Sequence, residues 1–437
     1  MSRDLPNRSA TLSSIIGSVA ASGLTSVAGM VTGVLLARSL GPTGRGQFAA
    51  IVSWSGLLLM ASELGLGFGV SYFAGKEPER GDEVFTQGLA IACALRALAF
   101  AVGAVVLPHI RAFESLDAPV VWLGLSPLLF GSVTGMVTAF FLGTGRIRVV
   151  NALGLAGAWV YAAGVLAIWL AGVRSVPAFV ALFAGAQVAT TVVAAWAGWR
   201  IGGLRPRWSR RGLRQLVWYG AKTQTASLAA QTNLRLDQVL MSVLVAPADL
   251  GLYAVAVAVS SMTGPLYSGL NTVLAPQVIR AGDARTGALR GGRILILAVV
   301  AGTVGAFALG VVAPWLLPAL FGKRFISAVP LARVLLGATV FQGTNLLLGT
   351  LLRGLGRPGA PAIAEGIGAG VTVGLLALLL PRFGAMGAAV ASLVAYGVVA
   401  VAEGAMSLVA AKVGVAELAA DASRIMAGST HSRSRKP

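Results

Sequence analysis

Chemistry-bearing side chains are scarce in this chain. Among 437 residues there are one cysteine, two histidines and 15 carboxylates, and only 11% of positions are charged. Cys93 has no second cysteine with which to form an internal disulfide, and His109 and His431 are too few for a His-rich metal site. No Walker A loop, HExxH helix, GxSxG elbow or dense acidic cluster occurs. Those gaps remove the usual signatures of nucleotide hydrolysis, metalloproteolysis, acyl transfer and metal-dependent sugar transfer. Also missing is the period-two alternation that a membrane β-barrel strand requires.

What remains is overwhelmingly apolar. The chain is 56% hydrophobic with a mean hydropathy of +0.82, against the ~25% charged residues of ordinary soluble domains. No soluble core could bury that much apolar surface, so lipid must be the solvent. In lipid the backbone has to satisfy itself within helices or a closed barrel.

Apolar runs of about 20 residues cross a ~30 Å hydrocarbon layer, and twelve can be counted. They fall at 12–37, 48–74, 85–107, 119–142, 152–171, 177–199, 217–245, 251–275, 294–318, 329–352, 359–380 and 388–411. The first is too long for the 7–15-residue apolar region of a cleaved signal and is read as a retained helix. The 57 glycines suit close helix packing in lipid. The expected class is an all-α polytopic membrane protein of twelve transmembrane helices.

Orientation follows from the loops. With the N-terminus in the cytoplasm, the inside segments hold 23 Lys and Arg and the outside loops hold 7, satisfying the positive-inside rule. The net charge of +19 is then a topological signal with some affinity for anionic headgroups, and nucleic acid is not an expected partner. The most basic stretch, RIGGLRPRWSRRGLR at 200–214, sits midway. The expected organisation is a six-helix lobe at 1–199, a basic cytoplasmic linker at 200–216, and a second six-helix lobe at 217–411. A cytoplasmic tail at 412–437 is expected to be partly disordered. Outside loops of roughly a dozen residues or fewer leave no room for a catalytic domain.

Two internal echoes suggest duplication. Pro42, Gly46, Phe48 and Ala49 return as Pro247, Gly251, Tyr253 and Ala254, and GTGR at 143–146 returns as GLGR at 354–357. Both join equivalent turns of a six-plus-six repeat. Because six is even, the halves share one orientation about an axis along the membrane normal.

The stretches LLARSLGPTGRGQFAAI, ELGLGFGVSYFAGK at 63–76, VAPADLGLYAVA at 245–256, LFGKRF at 320–325 and GLGRPG at 354–359 resemble the signature turns of polysaccharide flippases. These are the Wzx-type lipid-linked oligosaccharide translocases of the multidrug/oligosaccharidyl-lipid/polysaccharide (MOP) exporter superfamily. The resemblance implies two pseudo-symmetric lobes forming a V around a cavity, and alternating access for a glycan carried on a polyprenyl diphosphate. It also implies a cytoplasmic-membrane location, membrane lipids as surroundings, and a polysaccharide polymerase and glycosyltransferases as protein partners.

Intramembrane polar residues are the candidate site, since a charge at the bilayer centre costs ~2.5–3.5 kcal/mol and normally faces a cavity or a partner. Arg96 lies mid-span and could offer its fork of donors to a diphosphate, or pair with Glu63. Span seven is the most polar. At 100° per residue Gln224, Ser227, Gln231, Arg235, Gln238 and Ser242 share one stripe, with Lys222, Asn233 and Asp237 opposite. A helix polar on two sides cannot lie against lipid, so one stripe should border the cavity, its amides suiting sugar hydroxyls and Arg235 suiting phosphate. Lys222, near the cytoplasmic end, could also snorkel.

No ATP motif and no cofactor are expected, so coupling to a proton or sodium gradient falls to the intramembrane carboxylates Glu63, Asp237, Glu365 and Glu403, with Asp237 leading. Glu365 and Glu403 lie toward the cytoplasmic end, where water can reach them, and Arg333 is interfacial. Pro127 and Pro265 should kink their spans. The expected function is therefore a flippase rather than an enzyme. The alternatives are a MATE-like ion-coupled exporter of small molecules, a membrane glycosyltransferase or ligase, and a non-transporting scaffold.

Overall fold

The computed structural model describes residues 8–209, 211–279, 281, 283–414 and 417, apart from the side chains of 8–16, 18, 19 and 225–234. Among the described residues there is no strand. The helices are α1 (Arg8–Ala61), α2 (Leu66–Lys76), α3 (Gly81–Val106), α4 (Ala118–Leu125), α5 (Pro127–Gly143), α6 (Ile147–Leu170) and α7 (Val176–Arg200). They continue with α8 (Leu213–Leu244), α9 (Pro247–Ser260), α10 (Gly264–Ile279), α11 (Ala284–Phe321), α12 (Val329–Gly354) and α13 (Ala360–Ala411).

Nine helical stretches of the described residues are long and apolar enough to cross a bilayer. Twelve passes map onto them through two kinks and one polar helix. α1 folds back at Gly41, whose φ of 66° is open to glycine, followed by Pro42. α13 does the same at Gly384, φ 54°, three residues after Pro381. Each therefore holds two passes. α8 has the length, 32 residues, but too many polar side chains to count by hydropathy. Large apolar side chains such as Leu98, Phe307, Trp315, Val401 and Val409 lie exposed on the outside of the bundle, as lipid contact requires. The chain is a multi-pass membrane protein.

Several passes are less regular than their sequence suggests. The run at 48–74 is broken at 62–65, where Leu64 and Gly65 take positive φ. The run at 119–142 breaks at Ser126, and the run at 251–275 breaks at 261–263. Pro127 and Pro265 stand in the first turn of the helix that restarts, where the missing N–H removes nothing. α11 begins at Ala284, ten residues before the apolar run.

α1 to α7 pack among themselves, as do α8 to α13, giving two lobes. The echoes have the same geometry in both. Gly145 and Gly356 have φ of 75° and 77°. Arg146 N–H donates to Phe141 O at 2.8 Å, and Arg357 N–H donates to Leu352 O at 2.9 Å: one C-terminal helix turn, used twice.

The other echo forms the lobe contact itself. A Cβ on Gly46 would fall inside the carbonyl of Pro247, and a Cβ on Gly251 would fall inside the carbonyl of Pro42. The repeated Pro-x-x-x-Gly segments thus cross each other reciprocally, backbone on backbone. Arg38 Nε donates to Leu320 O at 2.7 Å and Arg111 to Leu244 O at 3.1 Å, each capping the end of a helix in the opposite lobe. At the other end of the bundle Gly65 and Gly220 meet in the same reciprocal way, and Tyr72 stacks on Tyr219 with centroids 4.4 Å apart. The connection after α7 is strapped to α3: Arg205 and Arg207 N–H donate to Asp82 and Thr86, and Gln87 donates to Ser209 O at 2.6 Å.

Gly46→Ala should therefore destabilise the protein by about 1–3 kcal/mol, since the carbonyl it meets is backbone and cannot rotate away. Gly269→Ala, where a Cβ meets nothing within 4 Å, should be neutral. Chemical denaturation of the purified protein in detergent compares the two.

Candidate functional site

The boundary between the lobes is where polar side chains concentrate. α8 runs along it, and its two polar faces go to different places. From the first face, Gln238 accepts from Ser53 Oγ at 3.0 Å and Ser242 accepts from Trp54 Nε1 at 2.8 Å. The guanidinium of Arg235 lies over Gly56, which has no side chain to exclude it. This stripe thus meets the second half of α1, in the first lobe. Gln224 is buried on the same helix, one turn beyond Gly220. The side chains of Ser227, Gln231 and Asn233 lie outside the described residues.

The opposite face turns into the second lobe. Asp237 is buried and accepts from Tyr253 Oη through Oδ2, and its Oδ1 accepts from Gln238 N–H at 2.7 Å. Tyr253 Oη also lies 3.3 Å from Ser392 Oγ. The acid is therefore tied to α9 and α13, and among the described residues no ion pair joins it to Arg235 within 4.0 Å. Lys222 is exposed, near the start of α8.

The remaining sequence candidates are scattered. Arg96 is buried within the first lobe, its guanidinium packed by Gly131 and Gly135 of α5, with Nε and Nη1 unpartnered. Glu63 sits in the break between α1 and α2, and among the described residues no ion pair joins it to Arg96. Glu365 lines a cavity in the second lobe. The structure thus gathers Arg235 and Gln238 at the lobe boundary and leaves Arg96 and Asp237 each enclosed in its own lobe.

Two cavities frame this arrangement. One of about 290 Å³ lies between the lobes beside the Gly46–Gly251 crossing, lined by Arg45, Tyr161, Thr32 and Gln238. Arg45 Nε and Tyr161 Oη are buried there without partners. The other, about 660 Å³, is walled mainly by the second lobe and reaches Phe68 of α2 in the first, its polar lining including Thr223, Gln342, Asn345, Arg353, Glu365 and Glu403. Arg45 reads in sequence as a loop residue and Arg353 as a helix-end cation. Only the fold-back at Gly41 and the packing of α12 on α13 turn them inward.

Twelve passes in two lobes, closed on each other around a polar helix, form a fold shared with solved transporters, one of them of the MOP superfamily. Among solved structures, lipid II flippase MurJ in an inward closed conformation superposes with a TM-score of 0.74 at 12% identity, over 94% of this chain and 91% of that one. An inward-facing multidrug resistance MATE family transporter of the MOP superfamily gives 0.69 at 14% identity, over 89% and 96%. The MATE multidrug transporter DinF-BH gives 0.64 at 13%, over 94% and 99%. The chain belongs to the polysaccharide biosynthesis protein family, whose profile matches residues 12–281. No curated protein matches it in sequence.

The Asp237–Tyr253–Ser392 group offers a direct check on the second lobe. Tyr253→Phe removes the phenolic donor from a buried carboxylate and should cost about 1–3 kcal/mol. Ser392→Ala, at the longer contact, should cost less. Both are read from denaturation midpoints.

Proposed function

We propose that the protein is a flippase that carries a polyprenyl-diphosphate-linked oligosaccharide across the cytoplasmic membrane by alternating access. The observation that carries this reading is the cationic, amide-rich seam between the lobes. Arg235, Gln238, Arg45 and Tyr161 lie along it, and among the described residues neither arginine has a carboxylate within 4.0 Å. Guanidinium donors left over from the fold suit the oxygens of a diphosphate. Amides and hydroxyls beside them suit a sugar. The lobes at 1–199 and 217–411 would rock about the Gly46–Gly251 and Gly65–Gly220 crossings, with the 200–216 connection riding on the first. The excess of Lys and Arg on one face favours both termini in the cytoplasm. Family membership and the flippase and transporter neighbours support transport rather than catalysis.

A second reading has one observation in its favour. Glu365 and Glu403 in the larger cavity are what a MATE-like exporter of organic cations would use. The seam between the lobes, where a cargo must pass, has the opposite sign, and this favours the anionic cargo.

In a strain without the gene, lipid-linked glycan should accumulate where only cytoplasmic reagents reach it. Restoring the gene with Arg235→Ala should leave export at least about tenfold down, as loss of a charge-assisted hydrogen bond implies, and Arg235→Lys should recover part of it. Glycan reaching the outer face normally in the deletion strain would refute the reading. Purified protein that exported cationic dyes would favour the alternative.

A further inference from the structure

The seam between the lobes gives no task to Glu403. It stands on the second half of α13, is 1% exposed and lines the 660 Å³ cavity. Its Oε2 has less than 1 Å² of exposed surface and no hydrogen-bond partner. Among the described residues no cation lies within 4.0 Å of it. An ionised carboxylate so placed is unsupported, and burying such a charge costs several kcal/mol. A sodium ion needs several oxygen ligands and room among them, whereas a proton needs neither.

The titratable and charged groups that share the cavity with Glu403 can be named from each packed element. Glu365 comes from the first half of α13, Tyr396 from its second half, Arg353 from the last turn of α12, and Tyr267 from α10. α8 brings Thr223, with Lys222 beside it in the chain, and α11 brings no described residue to the lining. Arg353 is the cation among them that lines the cavity. Its Nη1 and the Oε1 of Glu403 flank Gly349, each 3.5 Å from where a Cβ would stand on that residue. Arg353 meanwhile donates through Nη2 to Thr350 Oγ1 at 3.1 Å, so a swing of its flexible end is enough to reach the carboxylate.

We propose that Glu403 is a proton-binding site whose occupancy decides whether Arg353 is held by a carboxylate or is free to meet an anion in the cavity. With the proton on, Glu403 is a neutral acid and the guanidinium turns its donors to the cavity. With the proton released to cavity water, the carboxylate draws Arg353 back and the anion loses its partner. Proton binding at Glu403 and anion binding at Arg353 therefore favour each other. The identity of that anion as the diphosphate of the cargo rests on the proposed function; the proton site itself does not.

The test reads the carboxylic acid directly, without cargo. Infrared difference spectra of the full-length protein in lipid vesicles, titrated from acidic to alkaline pH, should contain a protonated-carboxyl C=O band. Glu403→Gln should abolish it and Glu403→Asp should move it, and the Asp variant keeps the assignment secure if the Gln variant folds poorly. Arg353→Gln should let the band persist to more alkaline pH, by about one unit, as loss of a nearby cation implies. Spectra of the wild type and Glu403→Asp that coincide at every pH would overturn the proton site. A band unmoved by Arg353→Gln would overturn the competition for Arg353. Neither failure touches the flippase reading, which the deletion strain tests separately.

Discussion

A polar helix in oil is the constraint on which this structure depends. α8 carries amides, hydroxyls and charges on two faces, and hydrocarbon offers none of them a partner. Both faces must be covered by protein, so α8 cannot sit on the rim of its lobe. One face is anchored inside the second lobe through Asp237, Tyr253 and Ser392. The other is left for the first lobe, which meets it with Ser53, Trp54 and the bare backbone at Gly56. The seam between the lobes thus follows from the need to cover one helix.

Covering it demands close approach at the ends, and glycine supplies that. Reciprocal crossings at Gly46–Gly251 and Gly65–Gly220 put backbone against backbone, where in lipid no hydrophobic force is available to pull larger side chains together. Each crossing sits at one end of the bundle, so two lobes can separate at one end while staying joined at the other. A carrier that opens to alternate sides needs that property.

Charge is divided between the compartments so formed. Cations stand along the seam, and the carboxylates of the 660 Å³ cavity stand on α13, with Arg353 of α12 in the same cavity. An arginine that answers to both a carboxylate and an anionic cargo ties their occupancies together through ordinary electrostatics. No nucleotide is needed for that linkage.

Class, number of passes and duplication were legible in the chain alone. Hydropathy is a sum over some 20 residues, and the echoed Pro-x-x-x-Gly and G-x-G-R turns are local. α8 could likewise be marked as a helix with two polar faces, since 100° per residue needs no knowledge of its neighbours. Where those faces go was settled only in three dimensions. Nothing near Asp237 in sequence announces Ser392, and Arg96, equally conspicuous in an apolar run, ended among α5 glycines rather than in a cavity. Arg45 became a cavity residue because the chain folds back at Gly41, and Glu403 came to share a cavity with Arg353 because α13 packs on α12. Helix propensity and apolar length are additive along the chain and can be read there. Which charges share a pocket depends on contacts between helices far apart in sequence.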